Sequence, residues 1–305
     1  MIRDAAGFRA AVDSVRATPR DAARASSRAI ALVPTMGALH AGHRSLLRRA
    51  REEYPFVAMS LFVNPLQFGP GEDFERYPRD EAADLAIARE LGADVVWAPS
   101  VEEMYPPGVE LPAPDPGPVG EVLEGAARPG HFAGVLTAVR RLLDVCGTCA
   151  AYFGEKDAQQ LFLVRQMVKK LDYSVMLVAC PTVREADGLA LSSRNAYLSP
   201  EEREQAGCLF LALSEAAELA RSGERHAGVL RAAMAREIGA TPLARLEYAT
   251  VVDEATFAEV DLVEAPARAL VAARFGGTRL IDNLRLSPGE QVGHAEPAPG
   301  PGREG

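Results

Sequence analysis

Long apolar runs are missing from this chain of 305 residues, and no stretch approaches the length of a membrane-crossing helix. The opening Met1-Ile2-Arg3-Asp4 lacks an apolar signal core, so the expectation is a cytoplasmic protein with no membrane partner. Positive charge is not in excess. Lys and Arg number 33 against 42 Asp and Glu, a net charge of −9, which argues against nucleic acid as a partner while leaving room for a local basic site for small anions. Cysteine is scarce, with four in all, and only Cys146 and Cys149 lie close in sequence. A zinc site needs two further ligands, and no second pair supplies them. A redox pair belongs at a helix start after a strand, whereas this one ends a helical pattern and precedes a strand. Small buried residues are the expectation, with an incidental disulfide as second choice. There are no internal repeats.

What is present is ordinary globular composition, 48% hydrophobic and 25% charged, with length enough for two domains or one large one. The chain is organised around Ala29 to Arg49. Ile30 to Val33 reads as a buried strand ended by Pro34. A loop with Gly37 follows, then a helix whose apolar side begins at Leu46 and Leu47 and whose outer side carries Arg48, Arg49 and Arg51. A strand, a glycine turn and a helix start bring free backbone N–H groups and the positive dipole end together, which makes an anion site. His40 and His43, three apart, share one side of that turn. The dipole disfavours imidazolium, so each neutral ring is expected to donate one N–H to a phosphate oxygen. The string His-Ala-Gly-His resembles the signature of nucleotidylyltransferases and class I aminoacyl-tRNA synthetases.

Around this centre the chain reads as an α/β fold. A first helix spans residues 4 to 17, capped by Asp4, with Phe8, Val12 and Val15 inward, and Thr18 to Arg28 reads as a loop. Phe56 to Phe62 is a second buried strand, and the irregular segment 63–71 brings Asn64 and Gln67 to the carboxyl end of the sheet, where they could meet a small polar acid. A helix after Asp80 is striped by Ala83, Ile87 and Leu91 and ends at Gly92. Val95 to Ala98 is a third strand, and the proline-rich 99–118 is an excursion without helix or strand. Arg128-Pro129-Gly130-His131 opens a helix along Val135, Val139, Leu142, Leu143 and Cys146, and its Arg and His are possible anion ligands. Strand four, Ala150 to Phe153, runs into Gly154-Glu155-Lys156-Asp157 and a helix striped by Leu161, Val164, Val168 and Leu171. Lys156 offers a point charge for phosphate, and Asp157 a partner for a ribose hydroxyl or a magnesium-bound water. Strand five is Val175 to Ala179.

From Pro181 the pattern changes. A loop ending Leu191-Ser192-Ser193-Arg194-Asn195 can close over a triphosphate. Ser199-Pro200-Glu201-Glu202 is a capping box starting a long helix towards Arg221. A helix over 226–238 and apolar runs at 246–252, 267–275 and 280–281 predict a small antiparallel sheet, and the Pro/Gly/Glu-rich 287–305 a disordered tail.

Taken together, Pro34-Thr35-Met36-Gly37-Ala38-Leu39-His40-Ala41-Gly42-His43, Phe62 to Phe68, Tyr152 to Asp157, Asp187 to Asn195 and Thr278 to Asn283 resemble the pantothenate synthetases, ATP-dependent ligases joining pantoate to β-alanine. The resemblance implies a Rossmann-like parallel sheet with helices on both faces over 1–182, a smaller α+β C-terminal domain over 183–286, and a homodimer. It implies that ATP is held by Met36, Gly37, Ala38, Leu39, His40, Ala41, Gly42, His43, Gly154, Glu155, Lys156, Asp157, Val183, Leu191, Ser192, Ser193 and Arg194. Gln67 and Gln160 would bind pantoate and β-alanine, with Asn64 and Tyr77 lining the same site. His43, His40 and Lys156 would be catalytic, with Mg²⁺ beside ATP. Another adenylate-forming nucleotidylyltransferase is the alternative. Two departures stand out: Ala82 and Ala83 interrupt the acidic stretch between Asp80 and Asp84, which leaves it without an assigned role, and Cys146-Gly147-Thr148-Cys149 before strand four differs from the family pattern, with no site residue in it.

Overall fold

The structure, a computed structural model, describes residues 1–17, 30–109 and 111–287. The expected loop at 18–28 and the tail from 288 onward lie outside the described residues. Helix α1 (Ala5–Ala17) is followed by β1 (Ile30–Thr35), α2 (Ala41–Glu53), β2 (Phe56–Leu61), α3 (Glu81–Glu90) and β3 (Val95–Trp97). Then come α4 (Val101–Met104), α5 (Glu124–Ala127), α6 (His131–Cys146), β4 (Cys149–Gly154), α7 (Ala158–Lys170) and β5 (Val175–Cys180). The five strands form one parallel sheet in the order β3-β2-β1-β4-β5. Strands buried on both faces need apolar side chains at successive positions, and β1 shows it. Ile30 and Leu32 join the core under α1, α6 and α7, while Ala31 and Val33 join the core under α2 and α3. The chain reverses direction across the sheet between β1 and β4, so the topological switch point lies between their carboxyl ends, where ligands of such sheets bind.

The remaining elements are α8 (Pro200–Gln205), α9 (Cys208–Arg221), α10 (Ala227–Gly239), β6 (Ala244–Asp253), β7 (Ala267–Phe275) and β8 (Thr278–Leu286). β6, β7 and β8 form an antiparallel sheet in that order, with α9 and α10 packed on one face. From this sheet and its β6–β7 connection, Val252, Leu270 and Phe257 enter the main core, and Phe257 packs on Phe162 with ring centres 5.2 Å apart. The α/β class, the parallel sheet with helices on both faces and the smaller α+β part agree with expectation.

Several boundaries do not. Pro34 lies inside β1, not at its end. The Phe62 N–H donates to the Thr35 carbonyl, so Thr35 points its polar groups to β2 and Pro34 points the other way, towards β4. There the register with β4 has already ended at Leu32, so the missing N–H leaves no ladder bond unmade. On α3 the inward residues are Asp84 and Ala88, and the expected stripe through Ala83 is wrong because a carboxylate, not an alanine, faces the interior. The proline-rich excursion contains α4, which Ser100 caps and Met104 anchors in the core. Leu171, expected on the stripe of α7, is 40% exposed because it sits at the C-cap. The long helix after Ser199 is broken into α8 and α9 at Gly207, a poor helix former packed against the Asp187 carbonyl. Cys146 and Cys149 are free and buried, as the residue pattern suggests. A hydrogen bond to Cys146, together with burial, pushes the Cys149 thiol up, which removes thiolate reactivity.

Close contact between α6 and the 3₁₀ turn Pro65–Gln67 ties the core to the sheet's carboxyl edge. A Cβ on Gly134 would lie 2.0 Å from the Leu66 carbonyl oxygen. An exposed helical Gly→Ala change gains about 1 kcal/mol. Gly134→Ala should instead lose about 1–3 kcal/mol by forcing backbone apart. Urea unfolding checks the sign, and a stabilised variant would contradict this packing.

Candidate active site

At the first junction, Gly37 and Ala38 both have positive φ, 88° and 51°. A Cβ at Gly37 would also meet the Asp84 carboxylate at 2.7 Å, so glycine is required there twice over. Asp84, 3% exposed, accepts hydrogen bonds from Ala38 N–H at 2.9 Å and Leu39 N–H at 2.8 Å. His40 caps α2, its Nδ1 accepting from Gly42 N–H at 3.1 Å. Gly42 leaves room for that ring, since a Cβ would sit 2.9 Å from it. His43 returns the contact, its Nδ1 accepting from His40 N–H at 3.3 Å, and the ring centres are 4.2 Å apart. Expectation is corrected here. Four backbone N–H groups of this junction, those of Ala38, Leu39, His40 and Gly42, are not free for a ligand because side chains of the protein already take them.

The same bonds fix the imidazoles. An Nδ1 that accepts carries no proton, so each neutral ring bears its proton on Nε2, the nitrogen left for a ligand. Burial, then the charge of Lys156, lowers the pKa of His40. Burial, then the neighbouring His40, lowers that of His43 to about 3.

The second junction, at the end of β4, is the 3₁₀ turn Glu155–Asp157 leading into α7. Lys156 Nζ lies 3.6 Å from the Asp157 carboxylate, which is half open to the cleft. Burial would raise the Asp157 carboxyl, but Lys156 first, then Arg194, His131 and Arg128, bring it below its ordinary range. Only three of the 33 basic residues are lysines, Lys156, Lys169 and Lys170. Away from the end of α7, where Lys169 and Lys170 lie, the chain uses guanidinium throughout, so a compact ammonium marks position 156, a compositional signal that pattern reading passes over.

On the third side, Asn64 is buried and saturated. Its Nδ2 donates to the Gly134 carbonyl at 3.0 Å and Gln67 Oε1 at 3.1 Å, and its Oδ1 accepts from Leu66 N–H at 3.1 Å and Tyr105 Oη at 2.7 Å. It therefore sets the Gln67 amide and offers little to a ligand, unlike the direct contact expected of it. Arg128 and His131 likewise face inward. Arg128 donates to both Glu72 oxygens at 2.8 and 2.6 Å, to the Gln67 carbonyl at 3.1 Å and to His131 Nε2 at 3.0 Å. His131 Nδ1–H then donates to the same Gln67 carbonyl at 2.8 Å. Burial and the Arg128 charge lower the His131 pKa to about 4. These two hold the Gln67 carbonyl while also lining both lobes of the cleft.

From the C-terminal part, Ser192 caps the 3₁₀ segment Ser193–Tyr197, and Arg194 lies bidentate on Asp73, with both bonds at 3.0 Å. One cavity of about 260 Å³ gathers Met36, His40, Gly42, His43, Asn64, Gln67, Tyr77, Gly154, Lys156, Asp157, Gln160, Val183, Leu191, Ser192, Ser193 and Arg194. A second lobe of about 510 Å³ continues past Lys156 and Arg194 to β8. Gly37, Ala38, Leu39, Ala41 and Glu155 do not line either lobe. Gly37 to Leu39 turn onto Asp84, and the Glu155 carboxylate reaches Arg268 at 3.3 Å. The excursion 99–118 lines neither lobe among its described residues, whereas Leu191 to Arg194 line the smaller one. Asp84, Glu72, Asp73 and Tyr105 are not legible in the sequence as site residues. Glu72, Asp73 and Tyr105 each hold another side chain, and Asp84 two backbone N–H groups, far along the chain and with no local motif.

Ring ¹⁵N shifts at pH 5 should report neutral Nε2–H for His43 and neutral Nδ1–H for His131, and imidazolium at either position would contradict the geometry. Unfolded histidines titrate near 6.5. The folded pKa values of these rings are depressed, so the unfolded state binds more protons below about pH 6.5 and stability should fall as pH drops through that window.

Comparison with known proteins places nearly the whole chain in a family. The family model described as pantoate-beta-alanine ligase matches residues 7–285. The pantothenate synthetase of Rubrobacter xylanophilus is 53% identical over 270 residues, covering 86% of this chain and 93% of that one. That of Roseiflexus castenholzii is 52% identical over 266 residues, covering 87% and 95%. The crystal structure of pantothenate synthetase from Thermus thermophilus superposes with a TM-score of 0.86 at 47% identity, covering 94% of this chain and 99% of that one. A pantoate-beta-alanine ligase from Francisella tularensis, solved with beta-gamma ATP and beta-alanine, gives 0.73 at 32% identity, covering 93% and 97%. By sequence over nearly its whole described length, and by fold, the chain belongs to the pantoate–β-alanine ligase family.

Proposed function

We propose that the chain condenses pantoate with β-alanine at the expense of ATP, through a pantoyl adenylate, releasing AMP and pyrophosphate, and that both steps run in the cavity between β1 and β4. The observation that carries the site assignment is the reciprocal His40–His43 cap, which leaves two Nε2–H donors in one cavity with Lys156 and Arg194. The Francisella tularensis relative, solved with a nucleotide and β-alanine, supports the choice of substrates.

In the first step the pantoate carboxylate attacks the α-phosphorus of ATP, a bond forms from carboxylate oxygen to phosphorus, and the bond to pyrophosphate breaks. A carboxylate is already ionised at neutral pH, so no base is needed. The work is alignment and charge neutralisation. His40 and His43 donate from Nε2 to phosphate oxygens, Lys156 supplies a point charge, and Ser192, Ser193 and Arg194 close over the nucleotide beside Val183 and Leu191. Gln67 and Gln160 hold pantoate and later β-alanine, with Tyr77 as a wall and Asn64 acting through Gln67. Gly37 to Leu39 act by shape, not contact. In the second step the neutral amine of β-alanine attacks the acyl carbon, and AMP leaves without protonation while the amine sheds its proton.

Mg²⁺ belongs to this proposal. No group of three or more potential ligands exists among the described residues. Glu72, Asp73 and Glu124 are tied to Arg128, Arg194 and Arg279, so Asp157 is the open carboxylate. That donor set suits an ion carried on the phosphates, where it would shield their charge. The division near residue 182, a homodimeric active form and a cytoplasmic setting also belong to the proposal. No helix among the described residues is long and apolar enough to cross a membrane.

Two experiments test it. AMP release from ATP and pantoate should depend on β-alanine and yield an amide, whereas pyrophosphate exchange with no β-alanine-dependent product would leave an adenylating enzyme with another acceptor. Lys156→Ala and His43→Ala should each slow single-turnover adenylation by roughly 10²–10³-fold, the range for lost charge-stabilising donors, with folding little changed. Near-wild-type rates would sink those assignments.

A further inference from the structure

The C-terminal sheet meets the nucleotide loops through consecutive residues of β8. Asp282, 2% exposed, accepts from Arg184 at 2.5 and 3.0 Å, and Arg184 also donates to the Gly188 carbonyl at 2.9 Å, which pins the loop leading to Ser192. Asn283, 3% exposed, points at the other junction. Its Nδ2 donates to the carbonyls of Glu155 and Lys156, at 3.0 and 2.8 Å, two successive residues of the turn that carries the Lys156 ammonium. Its Oδ1 accepts from Arg268 Nη1 at 2.5 Å. The amide therefore cannot flip, because a cation stands on one side and two carbonyls on the other. Arg268 is fixed in turn by Glu254 at 2.9 Å and by the Glu155 carboxylate at 3.3 Å.

We propose that Asn283 is a positioning residue for Lys156: its side-chain amide, clamped on the Glu155 and Lys156 carbonyls and oriented by Arg268, lets the C-terminal sheet set where the ammonium meets the phosphates. Asn283 lines the larger lobe, beyond the cavity that holds the histidines, so its effect on adenylation runs through the turn. A turn of three residues at the start of a helix has little stiffness of its own, and a shift of about 1 Å at a reacting site can lower a rate by roughly 10²-fold. This rests on the reading of Lys156 as a phosphate ligand.

Asn283→Asp keeps the shape and the acceptor for Arg268 while removing both donors. In the full-length enzyme, with ATP and pantoate under single-turnover conditions, it should slow adenylation by about 10–100-fold. Introduced into Lys156→Ala, the same change should slow the residual rate by no more than about threefold, because the two effects share one route. Equal slowing in both backgrounds would show that Asn283 merely joins the two sheets and would overturn the proposal, as would an undiminished rate in Asn283→Asp alone. Lys156→Ala at the wild-type rate would be a different failure, removing the reading beneath it. Melting curves accompany each variant, and if Asn283→Asp does not fold, Asn283→Ser enters the same cycle with the same criteria.

Discussion

The two oxygens of Asp84 hold the Ala38 and Leu39 N–H groups, and the chemistry of the first junction depends on that grip. Holding Ala38 at positive φ costs about 1–2 kcal/mol. Hydrogen bonds to a charged group return about 1.5–3 kcal/mol each, so the carboxylate wins and the loop stays in a shape it would not adopt alone. A nest of backbone N–H groups left open would have bound phosphate directly. Here the protein fills the nest with its own carboxylate, and in the proposed mechanism the imidazoles of His40 and His43 act as the donors instead. Their tautomer is settled by the backbone, before any nucleotide arrives.

The same logic recurs around the cleft. Asn64 and Tyr105, and separately Glu72, Arg128 and His131, spend their hydrogen bonds on orienting Gln67. Asp73 holds Arg194, and Asp282 with Asn283 holds the Ser192 loop and the Glu155–Asp157 turn. A reaction between two anions needs no proton abstraction in its first step. What it needs is donors kept in place against mutual repulsion of the substrates, and rigid, saturated supports supply that. Most of the supports come from elements distant in sequence, so the cleft exists only when both sheets are packed.

Much of the fold is legible in the sequence because it rests on local rules. Apolar strands at Ile30, Phe56 and Val175, the cap at Asp4 and the box at Ser199–Glu202 each declare themselves within a few residues. Pro34 misleads because its consequence depends on which neighbour its missing N–H faces, a fact of sheet order and not of sequence. Asp84 escapes notice for lack of an unbroken acidic run, yet its role needs one carboxylate at the right place on α3. The residues proposed to contact substrate stand in motifs and are legible. Their supports Glu72, Asp73, Asp84 and Tyr105 are single polar residues whose partners lie 41 to 121 positions away, and only packing brings them together.

The central claim is that pantoate is activated by bonding its own carboxylate oxygen to the α-phosphorus. Pantoate labelled with ¹⁸O in the carboxylate, turned over with ATP and β-alanine, tests it directly by mass spectrometry of the AMP. One labelled oxygen should appear in each AMP phosphate, left behind when the amine displaces it from the acyl carbon. Unlabelled AMP, with amide still formed, would mean that the carboxylate never joined the α-phosphorus and would contradict the account.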